Sequence, residues 1–443
     1  MKKLLLSVFT LFAVVALYGQ TIVSTTPENR NVVLEEFTGI HCGYCPDGHK
    51  RAAEFAAAHP GDVTLINLHT GSYATPGAGE PDFRTAWATP IAGQSGLTGY
   101  PAGTMNRHLF PGMQQGSGTA MSRGDFSTAG LEVLALPSYL NIGAEATIDV
   151  ATRILTVNVE VYYTDNSPEA SNFLTLAILQ NYIEGPQSGG ATYYPAMVLP
   201  NGNYQHMHML RDLLTGQWGE EITTTTTGSL FAQTYTYTLP ADYIGVDVNI
   251  GYIKLAAFVA ETHQEIVSGI TVEPTFINFT AVNNARVYGL TLPEYVCGTE
   301  VAPMVKIQNL GGDPLTSLTF EYDVNGGTPS TYTWTGNLTS FQETEVQLDP
   351  VSATVLASNT VNVTTTSTNG VADEDMTDNV TTGTFSSAPA AYSTIHFVLV
   401  TDNYGSETSW EFVNAAGTVF ASGGPYTDGA TTQVENMDIV LPA

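Results

Sequence analysis

Two of the three cysteines in this 443-residue chain, Cys42 and Cys45, are separated by Gly43 and Tyr44 and lie between an apolar run, Val32 to Phe37, and an Ala-rich segment of helical pattern. A thiolate at a helix N-terminus gains from unpaired backbone N–H groups and from the positive end of the dipole, so its pKa falls and it becomes a usable nucleophile. In that chemistry Cys42 attacks and Cys45 resolves. The alternatives to this favoured reading are an inert local disulfide, or half of a zinc site with His41, His49 and His69 as the nearest further ligands. His41, as an imidazolium, would stabilise the Cys42 thiolate in a pH-dependent way; otherwise it is a solvated loop histidine. Glu36, if buried, should carry a raised pKa and exchange a proton with Cys45. Glu35 and Glu36 point to opposite sides of a strand, so only one is expected inside.

These groups need a strand before them and a helix after them. Residues 31–136 supply that alternation: a buried-type strand at Val32–Phe37, a helix from Gly43 to Ala58 stopped by Pro60-Gly61, and a strand at Val63–Leu68. A helix follows at Asp82–Gln94, with Pro90 expected to kink or end it. A short strand at Ala102–Asn106 and a helix at Phe126–Leu136 close the unit. From Pro137 the period changes to two. Leu155, Val157, Val159, Val161 and Tyr163 alternate with polar residues, and related runs occur at Phe173–Ile183, Phe231–Leu239 and Tyr252–Ala260. The expected organisation is therefore multi-domain, α/β plus all-β: 31–136 as α/β, 137–280 as a β-sandwich, 285–388 as a smaller sandwich, and 391–443 as the start of a further β module, cut short.

Residues 1–19 pair Lys2 and Lys3 with an apolar run from Leu4 to Leu17, the pattern of a cleaved secretory signal. No later run is long and apolar enough to span a bilayer, so any outer-membrane association is expected without a transmembrane helix. With 13 Lys+Arg against 42 Asp+Glu the formal charge is -29, which argues against nucleic acid as a partner. Export permits disulfides, but three cysteines are too few for a disulfide framework. Cys297 is either a small buried residue or pairs beyond Ala443.

Other clusters carry weaker chemistry. His206-Met207-His208-Met209 mixes the imidazole and thioether ligands that copper favours, yet on one strand the histidines face one side and the methionines the other. Asp373-Glu374-Asp375 with Asp378 could hold calcium or form a solvated acidic turn, and Asp402, Glu407 and Asp428 read the same way. No cofactor beyond a Cys42–Cys45 redox disulfide is expected, and no hydrolase motif of the Gly-x-Ser-x-Gly or His-Glu-x-x-His type occurs.

The N-terminal third resembles the thioredoxin superfamily. Glu36-Phe37 stands where that family places an acid–Phe pair ahead of the dithiol, and Pro101 matches its cis-proline; the resemblance implies that Glu36 assists proton transfer for Cys45 and that Pro101 offers backbone to the substrate. Gly43-Tyr44 is not the usual intervening dipeptide, His41 replaces an aromatic, and Tyr100 is bulky for its place. Over residues 31 to 275, the run Leu34-Glu35-Glu36-Phe37-Thr38-Gly39 leading to Cys42-Gly43-Tyr44-Cys45-Pro46, then Asn67-Leu68-His69, Gly99-Tyr100-Pro101, Asn106-Arg107 and His206 to Arg211, resembles Omp28-related outer-membrane proteins of Bacteroidota. Residues 286–385 look like immunoglobulin-like modules of exported proteins. Two functions are therefore expected to compete: thiol-disulfide exchange with protein thiols or disulfides at the cell envelope, and surface adhesion in which the dithiol unit is a folded spacer.

Overall fold

The structure is a computed structural model that describes residues 22–296, 298–387, 394–414, 417–429 and 432–440. The expected signal segment 1–19 and Cys297 lie outside the described residues. The chain forms two compact units. One runs to Val282 and includes Gly311–Pro314 and Thr339–Gln342; the other comprises Asn283–Leu310, Leu315–Leu338 and the chain from Glu343.

The first unit opens with strand β1 (Val32–Thr38), all seven residues of which are buried. Helix α1 (Cys45–Ala58) follows, then β2 (Val63–His69), α2 (Ala88–Gln94), β3 (Ala102–Met105) and α3 (Phe126–Leu134). β1 pairs parallel with β2 and antiparallel with β3. Parallel pairing suits a strand covered on both faces. Val32 and Leu34 pack with Ala52 and Phe55 of α1 and Phe126, Ala129 and Val133 of α3. Val33 and Phe37 pack in a separate cluster with Ala88, Ile91 and Ala92 of α2. Pro46 lies in the first turn of α1, where its missing N–H costs no helical bond, and Asp47 adds a favourable negative charge there. The second helix is shorter than expected from Asp82–Gln94: it begins at Ala88, and Pro90 therefore sits in its first turn rather than kinking its interior.

Further strands of this unit include β4 (Leu140–Asp149), β5 (Ile154–Tyr163), β6 (Asn172–Gln180), β7 (Met209–Leu213), β8 (Leu230–Thr238), β9 (Ile253–Glu261), β10 (Ile266–Val272) and β11 (Thr275–Ile277). Four of them make one sheet in the order β8-β5-β4-β11. β5 carries the period-two signature into this sheet, with Leu155, Val157, Val159, Val161 and Tyr163 buried on one side.

The others overturn the expected boundary at 136/137. β10-β9-β6-β7-β2-β1-β3 run consecutively in a single nine-stranded sheet, completed by Met121–Ser122 beside β3 and Glu220–Ile222 beside β6. The seam is the pairing of Met209 with Asn67. The Asn67 N–H donates to the His208 carbonyl at 2.8 Å, and its side-chain amide donates to the Met207 carbonyl at 2.9 Å. β6 is apolar on both sides, with Leu174, Leu176 and Ile178 buried as fully as Ala177 and Leu179. Such a strand belongs inside a covered sheet, not in a sandwich with one wet face.

The second unit is all-β. A three-stranded sheet joins Ala285–Thr291, Met304–Asn309 and Glu343–Gln347. A five-stranded sheet orders Tyr295–Val296, Val380–Ser387, Ser358–Thr368, Leu315–Val324 and Ser330–Leu338. Both contribute to one core containing Val287, Val305, Ile307, Leu318, Phe320, Val361 and Val363. Beyond it, Thr394–Thr401 pairs with Thr432–Val440 and Trp410–Val413 with Val419–Gly423.

Candidate functional site: a covered disulfide

The turn that ends β1 and the first turn of α1 bring the cysteines together. The Cys42 N–H donates to the Gly39 carbonyl at 2.9 Å and the Cys45 N–H to the Cys42 carbonyl at 3.3 Å. Cys42 and Cys45 are joined as a disulfide with Cα atoms 5.4 Å apart. Cys45 is inaccessible and Cys42 is only 3% exposed.

A loop far away in sequence packs on this turn. The Gln187 side-chain amide donates to the carbonyls of Gly39 at 3.2 Å and Cys42 at 3.0 Å. The Ser188 N–H donates to the Ile40 carbonyl at 2.8 Å. Gly189 has a φ of +75° and crosses Gly43 so closely that a methyl group on it would stand 1.9 Å from the Gly43 oxygen. The single helical turn Gly190–Tyr193 follows, and its Tyr193 ring lies 5.1 Å from that of Tyr44. Sequence reasoning missed this cover. Gly-Pro-Gln-Ser-Gly-Gly has no period and reads only as a loop, so no local signal in it pointed to the cysteines.

Glu36 lies beside the disulfide helix. It is 1% exposed, and neither carboxylate oxygen has a hydrogen-bond partner. Burial pushes its pKa well above the usual carboxylate range. A methyl group on Gly48 would stand 2.3 Å from Glu36 Oε1 and 3.2 Å from Pro101 Cβ, so the absence of a side chain at Gly48 lets helix, acid and proline meet. The Tyr100–Pro101 peptide is cis, and the bulky Tyr100 is accommodated by a hydrogen bond from its hydroxyl to the Thr70 carbonyl at 3.0 Å. Glu36 also opens onto a cavity of about 150 Å³ whose walls include His49, Leu65, Asn67, Tyr194 and Tyr204.

The expectation that only one of the adjacent acids is inside is corrected. Glu35 is also 1% exposed, on the other side of β1, because both faces of this sheet are covered. Its charge is met by Arg107, which donates from Nε at 2.7 Å and Nη2 at 2.6 Å in a two-pronged pair. The Arg107 guanidinium also lies over the Phe258 and Trp218 rings, at 5.5 and 5.8 Å. His41 is exposed, and its ring pairs with Glu80 at 3.0 Å.

The histidines of the zinc and copper readings lie near one another and make other contacts. His49 bonds Thr38 Oγ1 at 2.9 Å through Nε2 and the Tyr204 hydroxyl at 3.1 Å through Nδ1. Burial, reinforced by His206 and His208, pushes its pKa down to about 3. His69 is buried, with its ring 5.3 Å from both Phe83 and His206. His206 faces the Pro186 carbonyl at 3.2 Å and burial lowers its pKa to about 4. His208 has a φ of +52° and stands between the short strand Tyr204–His206 and β7, so the four alternating residues do not share one strand. Among the described residues no three His, Cys, Asp or Glu side chains converge as a metal site. The His49–Tyr204 pair was missed, although His49 lies one helical turn after Cys45 and so on its face.

In the second unit, the acidic turn spends its carboxylates on neighbouring backbone N–H and hydroxyl groups, within its loop and at the start of the strand Ala285–Thr291. Asp373 accepts from Ala285 N–H at 2.9 Å, Thr368 Oγ1 at 2.7 Å and Asp375 N–H at 2.9 Å. Asp375 accepts from the Thr377 N–H at 3.0 Å. Burial, Asp375 and Asp373 raise the Asp378 pKa to about 6. In the tail, Asp402 accepts from the Tyr404 N–H and Asp428 from the Ser406 N–H, both at 2.9 Å.

A nine-stranded sheet bearing a cystine at the start of a helix, in a chain with a second, all-β unit, defines a β-rich multi-unit protein in which the cystine lies in the first unit. Residues 90–278 match the family described as outer membrane protein Omp28. Among solved structures, it is similar to HBP35 of Porphyromonas gingivalis, with 17% identity over 82% of this chain and 99% of that one and a TM-score of 0.44. A domain of the outer membrane lipoprotein Omp28 from Porphyromonas gingivalis is similar at 18% identity, over 31% of this chain and 90% of that one, with a TM-score of 0.22. A CARDB domain from Pyrococcus furiosus, solved with two metal ions, is similar at 23% identity, over 24% of this chain and 90% of that one, with a TM-score of 0.20. Curated proteins give no match. No helix among the described residues is long and apolar enough to cross a membrane.

Proposed function

We propose that this protein is an exported, envelope-associated thiol-disulfide exchange protein whose first unit works in the manner of a thioredoxin-like domain. The observation that carries the reading is the meeting, at Gly48 of the cysteine-bearing helix, of the unpartnered Glu36 carboxyl group and Pro101. In the reduced protein, the Cys42 thiolate attacks one sulfur of a partner disulfide; that bond breaks, and the departing partner sulfur takes a proton. Cys45 then attacks the Cys42 sulfur, closing the disulfide and releasing the second partner thiol. Two electrons pass from protein to partner, and Glu36 is the group next to the helix that can hold the Cys45 proton. With the disulfide already formed, as here, the reverse sequence oxidises a partner dithiol.

The test is insulin reduction by the full chain. The reading expects turnover that Cys42→Ser abolishes, with mixed disulfides accumulating in Cys45→Ser. A second reading, a surface-binding protein with a structural cystine, draws support from the cover over Cys42. It expects no turnover, a thiol count that stays at zero for the pair under mild reductant, and binding unchanged in both serine variants.

A further inference from the structure

We infer that Gln187–Gly189 occupies the docking groove of an extended polypeptide partner, and that the carbonyls it covers, those of Gly39, Ile40 and Cys42, are the surface that holds such a partner over the cysteine pair. All three positions are acceptors, and all three are filled by donors of the chain's own loop: the Gln187 amide and the Ser188 N–H. A foreign strand that presents N–H groups can supply the same bonds, as in other cases where an extended peptide is recognised through main-chain partners. Gly189 sets a further condition. The occupant crosses Gly43 where no side chain fits, so the partner must place glycine, or an equally open stretch of backbone, at that point.

The loop is held in a way that permits exchange. Its residues belong to neither main sheet; it connects the strand pair Ile183–Gly185 and Tyr204–His206 to the turn Gly190–Tyr193. Ser188 is exposed and Gln187 half-buried. Its grip includes neutral hydrogen bonds, the His206 ring at the Pro186 carbonyl, close backbone packing of Gly189 on Gly43 and one ring contact, Tyr193 against the exposed Tyr44. Neutral hydrogen bonds exchange with little net change when an equivalent donor arrives. A small thiol without a peptide backbone has no such donors to offer, so the cover selects polypeptide over small-molecule thiols. That the partner bears a thiol or disulfide rests on the exchange reading; that the groove is occupied by Gln187–Gly189 does not.

The experiment measures the rate at which dithiothreitol reduces Cys42–Cys45 in the full chain and in Gln187→Ala, together with mixed-disulfide formation by free cysteine and by an extended Gly-containing cysteine peptide. Gln187→Ala should raise the dithiothreitol rate about tenfold, since it removes both side-chain bonds to the groove. The peptide should react faster than free cysteine with the wild type. Gly189→Val should accelerate dithiothreitol further, with circular dichroism reporting whether the fold is kept; Gln187→Ala decides the matter if it is not. A Gln187→Ala rate within about twofold of wild type, or free cysteine matching the peptide in both proteins, overturns the inference. Accelerated reduction without insulin turnover would leave the cover standing and remove the exchange reading; turnover with an unchanged Gln187→Ala rate would do the opposite.

Discussion

The interior of the first unit holds Glu35 with Arg107, Glu36, His49, His69 and His206, whereas the buried polar residues described in the second unit are Asn284, Gln308, Asn309, Asn359, Thr365, Thr368, Asn379 and Thr401. Among the described residues the second unit buries no carboxylate, imidazole or guanidinium below the same exposure. The sandwich core is thus built mainly on Val, Ile, Leu and aromatic side chains, an inexpensive way to fill a β core. Ionisable groups in a dry interior cost several kcal/mol unless paired, and folds that keep them tend to place chemistry nearby. Their concentration around β1 and α1 marks where to look for it.

The comparison can be broken most sharply at Arg107. Arg107→Ala leaves Glu35 charged and unpaired in the sheet, and should destabilise the first unit by about 3–5 kcal/mol. In a denaturant titration the first unit's transition should move and the second's should stay. Loss of both together would mean that the units unfold as one.

Acid should separate the units next. His49 and His206 are neutral in the fold because their pKa values are depressed to about 3 and about 4. The stability they contribute is present above the unfolded value and is lost as pH falls from there toward those folded values. Near pH 4.5 the loss for His49 alone should be about 3 kcal/mol. Glu36 has the opposite sign: its raised pKa means that stability falls as pH rises through the folded value, and Glu36→Gln should flatten that alkaline slope. An acid-insensitive first unit would show that the imidazoles are wetter than their burial implies.

The smallest effect belongs to the second unit. Asp378 has a folded pKa raised to about 6, so its contribution is intact below the unfolded value and is lost as pH rises through 6. Asp378→Asn should stabilise that unit at neutral pH by less than about 1 kcal/mol, after solvent screening of a half-exposed site. A thermal shift that persists at pH 4 would assign the gain to packing rather than charge.

Much of the local architecture was legible. The Cys42–Cys45 spacing, the Ala-rich run after it and Pro60-Gly61 locate α1 closely, because helix periodicity and stop signals are local. Strands β5 and β8 were equally readable, each having a repeating polar side. Sheet membership was not. Periodicity reports which side of a strand is apolar and not which strand lies beside it, so the seam from Asn67 to Met209 left no trace in either segment. The same reason hid Arg107 from Glu35 and Glu80 from His41: each partner is supplied by a distant loop. Within the site, the cysteines stand out by residue type and spacing, whereas Glu36 and Pro101 are singled out through the thioredoxin resemblance. The cover could not be named, because its grip on Gly39 and Ile40 goes through backbone oxygens that every residue type possesses.

Gln187 lies 145 residues after the cysteine whose carbonyl it binds. A chain emerging N-terminus first, from a ribosome or through a translocation channel, presents both sulfurs to its surroundings well before their shield has been made or delivered. The pair therefore has an early, open period in which an oxidant can reach it freely, followed by a closed one in which only a visitor able to unseat the loop gains entry.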